Sequence, residues 1–409
     1  MNWTLFVLAL LTLGNAYQLI LQIVQYRSAN NPTPQSVADV YDDETYLRWK
    51  RYSAEGSRLS IASTIVSYLL MMVLLLTRAH SAFSAMFPQN IWAQLAAVLI
   101  LQIAVETVVG VVFSYIRNMI IEQKYGFNRT TVKTFVTDQI RNLILELVLT
   151  FGLVCLLTAL HRALSDWMIV LFAAAVFVIS LAISFLYPIF SRLGNKFVPL
   201  EEGELRDRLM GLLTKHGYQV KAIEVMDASR RTTKLNAYFT GFGRMKTIVL
   251  YDNLVNAMTT DEICAVFSHE LGHGLHKDVP KQQVMNLGNL LLMAVVVWLA
   301  VRTPALHLAF GFDSVNYGFA YLLLTIGLGL VQPLTGMVMN AYSRFAEYRA
   351  DRQAVQEGYG EALVTGLKIL AKENFAHLAP NKALVVLEYS HPPLSQRIEA
   401  VEQALEETK

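Results

Sequence analysis

Seven separate stretches of this 409-residue chain are apolar over about the length that a helix needs to cross a hydrocarbon layer, and no other feature restricts its fold so tightly. They run Trp3–Val24, Ile61–Leu76, Ile91–Tyr115, Leu143–Leu160, Met168–Tyr187, Met285–Val301 and Tyr317–Val338, the second being the shortest. Backbone groups in lipid must be satisfied within their own segment, so each stretch is expected to be a helix. Only 16% of the residues are charged, against about 25% in soluble proteins, which agrees with a bilayer environment. The net charge is +2 and no basic run is interleaved with aromatics, so no nucleic-acid partner is expected.

The placement of charge gives an orientation. The segment from Gln25 to Ser60 carries Arg27, Arg48, Lys50, Arg51 and Arg58, and that from Ile116 to Asn142 carries Arg117, Lys124, Arg129, Lys133 and Arg141. The short loops between them hold one base each, Arg78, Arg162 and Arg302. Cytoplasmic loops are the basic ones, so the amino terminus is expected outside, the carboxyl terminus inside, and Ser191–Gln283 on the cytoplasmic side. Met1-Asn2-Trp3-Thr4 lacks a basic region and the following apolar run exceeds a signal-peptide core, so the first helix is expected to be retained. Cys155 falls within a span and Cys264 just before the motif discussed next, and both thiols are expected to be reduced.

Between the fifth and sixth spans the composition becomes that of a small α/β unit. A helix is expected from the acidic start at Pro199–Glu204 to about His216. Strands follow at Ala222–Met226, Lys234–Thr240 and Thr247–Tyr251. Thr259-Thr260-Asp261-Glu262 then offers an N-cap for a helix over Ile263–Lys277, which carries His269-Glu270-Leu271-Gly272-His273. At about 100° per residue, two histidines four apart lie within about 40° of each other on one helix face, so both imidazoles can meet one metal ion. The plain alternative is a solvated helix with two unrelated histidines.

A catalytic zinc ion takes three protein ligands and keeps a position for water. Downstream, helices are expected over Ala341–Gln356 and Glu361–Glu373, with a last one from about Ser395 after His391-Pro392-Pro393-Leu394. Glu347 in the first of these suits a ligand, with Asp351 one turn on as an acceptor that orients an imidazole. The alternative is an exposed charged helix with both acids paired to Arg344 or Arg349. His276 returns to the face of His269 about 10.5 Å further along, too far to share one ion, and reads as a surface histidine. His80, His161, His216, His307 and His377 have no partner by spacing.

These segments, together with Glu122-Gln123-Lys124-Tyr125-Gly126-Phe127-Asn128, Asn195-Lys196-Phe197-Val198-Pro199-Leu200 and Asn236-Ala237-Tyr238-Phe239, make the chain resemble the type I CAAX prenyl proteases, integral-membrane zinc metallopeptidases. The resemblance implies a mainly α, polytopic membrane protein, with seven transmembrane helices around an internal chamber plus a split cytoplasmic gluzincin-like α+β zinc protease domain. The pieces would be residues 1–190 (helices one to five), 191–284 (catalytic part with the His-Glu-x-x-His helix), 285–338 (helices six and seven) and 339–409 (catalytic part with the third ligand). By matching position it implies His269, His273 and Glu347 as ligands of one zinc ion per chain and Glu270 as general base. It also implies that Asn236, with Ala237 and Tyr238, holds the substrate backbone as an added strand. His391 and Arg397 would lie near the metal, His391 donating to the oxyanion and Arg397 pairing with a carboxylate such as Asp351. Asn236 also reads as a strand-end turn residue, and His391 as a cap before the last helix.

The implied activity is zinc-dependent endopeptidase cleavage of a membrane-associated peptide or protein, removing the C-terminal tripeptide of prenylated Cys-a-a-X substrates. The setting is a bacterial inner membrane or an endoplasmic reticulum membrane, with the catalytic parts facing the cytoplasm. A bacterial enzyme would instead fit membrane-protein quality control without a prenyl requirement. A seven-helix transporter or receptor with a structural zinc ion would need a fourth protein ligand, and no Cys-rich set supplies one.

Overall fold

The structure is a computed structural model that describes residues 1–192, 195–218, 222–240 and 247–408. Its long helices are α1 (Trp3–Ser28), α2 (Asp43–Leu76), a short α3 (Ala79–Ser84), α4 (Ile91–Tyr115), α5 (Val132–Leu164) and α6 (Met168–Ser191). After a first catalytic segment come α10 (Asp278–Arg302), a one-turn α11 (Pro304–Leu308) and α12 (Tyr317–Gln356).

Among the described residues, 6 helical stretches are long and apolar enough to cross a membrane. One of them, Val132–Ile183, contains α5 and most of α6, joined by a 3₁₀ turn at Ser165–Trp167, so two of the separately read spans share one apolar run. The protein is a multi-pass membrane protein. Its bundle core brings together Val7 and Leu11 of α1, Leu99 of α4, Leu157 of α5, Val297 of α10 and Phe319 of α12.

Several boundaries differ from those read in the sequence. The segment expected to loop from Gln25 to Ser60 is largely helical, because Asp42 caps α2 by accepting from the Thr45 amide at 2.7 Å and the helix runs unbroken into the apolar stretch. Likewise, the span ending at Val338 and the helix starting at Ala341 are one 40-residue helix, α12, since nothing between them breaks the backbone pattern. Glu347 and Asp351 are therefore carried on a rigid extension of a membrane helix.

The catalytic segment contains α7 (Glu204–Lys215), α8 (Asp252–Ala257) and α9 (Thr260–Leu275), with strands β1 (Phe197–Pro199), β2 (Ala222–Met226), β3 (Ala237–Thr240) and β4 (Thr247–Tyr251). The strand order is β1-β2-β4-β3, with β2 and β4 parallel and the outer pairs antiparallel, which leaves β3 at an edge. β1 went unread because three residues ending in proline show no alternation. β3 begins at Ala237 rather than Lys234, although the Asn236 carbonyl still accepts from the Tyr251 amide at 3.1 Å.

Leu209 and Leu213 of α7 and Ile263 and Phe267 of α9 pack with Ile248 and Leu250 of the sheet. Thr259 and Glu262 form a reciprocal capping box at the start of α9. The chain ends with α13 (Gly360–Glu373), α14 (Lys382–Glu388) and α15 (Leu394–Thr408). The crossing of α9 on α12 depends on Gly272, where a Cβ would stand 2.9 Å from the Ala350 Cα. Only a residue without a side chain allows this approach, which sets the histidines beside Glu347 and Asp351.

Candidate active site

His269 and His273 lie one turn apart on α9, and the buried Glu347 of α12 faces both. Nε2 of His269 is 3.5 Å from Oε2 of Glu347, and Nε2 of His273 is 3.4 Å from Oε1. One ligand atom from each residue falls within 4.8 Å of the others. Both outer ring nitrogens are engaged elsewhere. Nδ1 of His269 donates to Oδ1 of Asp351 at 2.8 Å, and Nδ1 of His273 donates to Oδ2 of Asp278 at 3.0 Å. With the hydrogen held on Nδ1, each Nε2 lone pair points inward, as a metal ligand requires.

The supporting carboxylates are themselves held. Arg397 of α15 donates Nε to Oδ2 of Asp351 at 2.9 Å and Nη2 to Oδ1 at 2.6 Å, a two-point grip, while its Nη1 lies 3.3 Å from Oε2 of Glu347. Asp278 accepts from the Tyr342 hydroxyl at 2.8 Å and from Arg349. His391, exposed at the start of the last segment, brings Nε2 to 3.3 Å from Oε1 of Glu347, and its Nδ1 lies 2.9 Å from the Ser390 hydroxyl. The alternative partners weighed for Glu347 are engaged elsewhere: Arg344 donates to the carbonyls of Val385 and Tyr389, and Arg349 to Asp278.

These residues suit a divalent cation on three counts. Two imidazoles and one carboxylate form the donor set of a catalytic zinc ion. Oε2 of Glu347 is buried and has no hydrogen-bond partner among the described residues. The carboxylates of Glu270, Asp278, Glu347 and Asp351 face the guanidiniums of Arg349 and Arg397, an excess of two negative charges. Burial disfavours a charged His273, yet the carboxylates of Glu347 and Asp278 on either side of its ring raise its pKa to about 9, so a cation bound at Nε2 would displace a proton there at neutral pH.

A pocket of about 280 Å³ opens over the cluster. Glu270, Asn236, Ala237, His391 and Arg397 line it, and Leu254, Val266 and Leu367 supply an apolar wall. Tyr238 continues along β3. Every residue expected at the site is therefore in or beside this cleft. The sequence reading missed Asp278 and Tyr342, and placed Arg349 only as a partner for Glu347 or Asp351. Asp278 lies five residues past His273 but in the next helix, reached through Lys277 in the left-handed region (φ 55°), a bend that spacing does not reveal.

A three-donor cluster fit for a metal ion, with its carboxylate on the extension of a membrane helix and an edge strand beside it among the described residues, is the arrangement of an integral-membrane metallopeptidase. Residues 22–192 match the CAAX prenyl protease N-terminal region with five membrane helices, and residues 199–405 match peptidase family M48. The chain belongs to peptidase family M48 and is a metalloprotease. It is 29% identical over 429 residues to CAAX prenyl protease 1 of Saccharomyces cerevisiae, covering 96% of this chain and 94% of that one. It is 30% identical over 292 residues to the CAAX prenyl protease 1 homolog of Arabidopsis thaliana, covering 71% and 69%. Its fold is similar to the crystal structure of S. mikatae Ste24p, with a TM-score of 0.91 and 26% identity over 98% of this chain and 99% of that one.

Proposed function

We propose that this chain is a zinc-dependent membrane endopeptidase in which His269, His273 and Glu347 hold one zinc ion and Glu270 is the general base. The carrying observation is the convergence of three ligand atoms within 4.8 Å, with both histidine Nδ1 atoms fixed by carboxylates. Bound zinc supplies Lewis acidity, which polarises a carbonyl and brings the pKa of water to about 7. Glu270 follows His269 on the same helix and lines the same pocket, so it takes the proton of the attacking water and delivers it to the leaving amine. Asn236, Ala237 and Tyr238 hold the substrate backbone along the free edge of β3. His391 donates to the developing oxyanion, and Arg397 keeps Asp351, and through it His269, in position.

The substrate is a membrane-associated, prenylated Cys-a-a-X chain that loses its C-terminal tripeptide. The names of the relatives and the end-to-end similarity to them support this choice. α5 and α6 count as two spans in this proposal, which gives seven helices around an internal chamber. Glu106 and Glu146 support the chamber, since carboxylates on apolar helices are costly against lipid and favour a water-filled interior. The four pieces 1–190, 191–284, 285–338 and 339–409 follow, with both catalytic parts and the carboxyl terminus in the cytoplasm and the amino terminus outside.

The test is cleavage of matched C-terminal peptides, with and without a farnesyl group, by the detergent-purified, zinc-replete protein. Faster release of the tripeptide from the farnesylated peptide is the expected result. Equal rates remove prenyl recognition, and no release from either removes the activity.

A further inference from the structure

A second pocket, of about 350 Å³, lies between α1, α2, the helical turn at Ile116–Glu122 and the chain just after α13. Its lining is polar although α1 and α2 are membrane helices, with Gln22, Ser57 and Ser60 facing Arg117 and His377. Arg117 uses Nη2 to reach the Tyr52 hydroxyl at 3.0 Å and Glu122 at 3.1 Å. Its Nη1 lies over Gly56, where a Cβ would come within 2.1 Å. Glu122 is shared with Lys234 at 3.5 Å, so two cations face one anion.

Two acceptors on residues that line this pocket are buried without a partner among the described residues. Gln22 donates its amide nitrogen to Thr64 at 2.9 Å, which leaves Oε1 buried and unpartnered among the described residues. The Ser28 hydroxyl donates to the Gln25 carbonyl at 2.8 Å, so it accepts from Nε2 of His377 at 3.1 Å. The hydrogen on Nε2 leaves Nδ1 of His377 as a buried acceptor without a partner. A guanidinium at an open pocket with polar groups in its lining complements the carboxylate of a peptide C-terminus.

The pocket is joined to the catalytic cleft through Asn374. This residue lines the second pocket, and its carboxamide accepts from the Leu235 amide at 2.9 Å and donates to the Leu235 carbonyl at 3.1 Å. Leu235 precedes Asn236, which lines the catalytic pocket. Asn374 and the Leu235 backbone thus link the two pockets.

We propose that this pocket receives the free C-terminal carboxylate of the substrate, anchored by Arg117, and thereby sets the cut three residues from the chain end. The assignment rests on the proposed peptidase function and adds how the site of cleavage is measured.

The experiment uses the full-length, zinc-replete protein in detergent and two peptides that differ only in a free C-terminal carboxylate or a carboxamide. The wild type is expected to favour the acid by about tenfold or more in kcat/KM, chiefly through KM, as a charge-assisted contact implies. Arg117→Gln, which removes the charge, and Gly56→Ala, which displaces the guanidinium, are expected to abolish the preference for the acid while zinc content stays unchanged. Equal kcat/KM for acid and amide in the wild type overturns the inference and leaves the peptidase function standing, whereas cleavage of neither peptide overturns that function instead. A lipid phosphate as the occupant, or a purely structural role for Arg117, makes Arg117→Gln slow both peptides equally, and that pattern also overturns it.

Discussion

The two pockets differ in what their polar atoms face. At the metal cluster nearly every side chain is already engaged: His269 with Asp351, Asp351 with Arg397, His273 with Asp278, and Asp278 with Tyr342. The inward ring nitrogens face the Glu347 carboxylate, whose Oε2 has no hydrogen-bond partner among the described residues. In the second pocket Oε1 of Gln22 and Nδ1 of His377 are without partners among the described residues. A site for chemistry must be fixed before its substrate arrives, so its groups restrain each other and few degrees of freedom are left. A site that only binds keeps its hydrogen-bonding groups for the ligand.

The contrast can be broken at its strongest point first. Glu270→Ala removes the proposed proton carrier and leaves the three proposed metal donors in place, so activity is expected to fall by at least about 10³-fold while zinc content stays unchanged. Steady-state cleavage with metal analysis on the same sample checks it. Asp351→Asn and Asp278→Asn loosen the restraints on the two imidazoles and are expected to weaken zinc affinity by about 10–100-fold. Asp351 should give the larger effect, because its loss strands the Arg397 guanidinium, whereas Arg349 beside Asp278 is more exposed; competition with a chelator measures both. Gly272→Ala forces a Cβ against the α12 backbone and is expected to cost about 1–3 kcal/mol of stability, read as a lowered Tm in detergent. The smallest change is expected from Arg117→Lys, which keeps the charge of the second pocket and should preserve much of the preference for a free carboxylate, as parallel acid and amide assays would show.

Much of this was legible in the chain. The His269–His273 spacing, Glu347 with Asp351 one turn on, and the pairing of Arg397 with Asp351 all follow from helical period or from the family resemblance, and the structure brings them together within hydrogen-bonding reach. Apolar runs locate membrane helices but not their ends. Polar residues such as those of Asp43–Ser60 continue a helix as readily as they form a loop, and α5 and α6 separate at Ser165–Trp167, where the apolar composition hardly changes. Asp278 was hidden because its contact with His273 depends on the left-handed Lys277. The second pocket was hidden more deeply, since Gln22, Gly56, Arg117 and His377 come from four separate segments and share no period.

Stripping the wild-type protein with a chelator and titrating zinc back shows whether three donors from two helices hold the one metal ion on which hydrolysis depends. Cleavage and bound metal are measured on each sample. The expected result is loss of activity on stripping and recovery that rises with bound zinc to a plateau at one ion per chain. Undiminished cleavage by fully stripped protein, or a plateau that bears no relation to bound zinc, would contradict it.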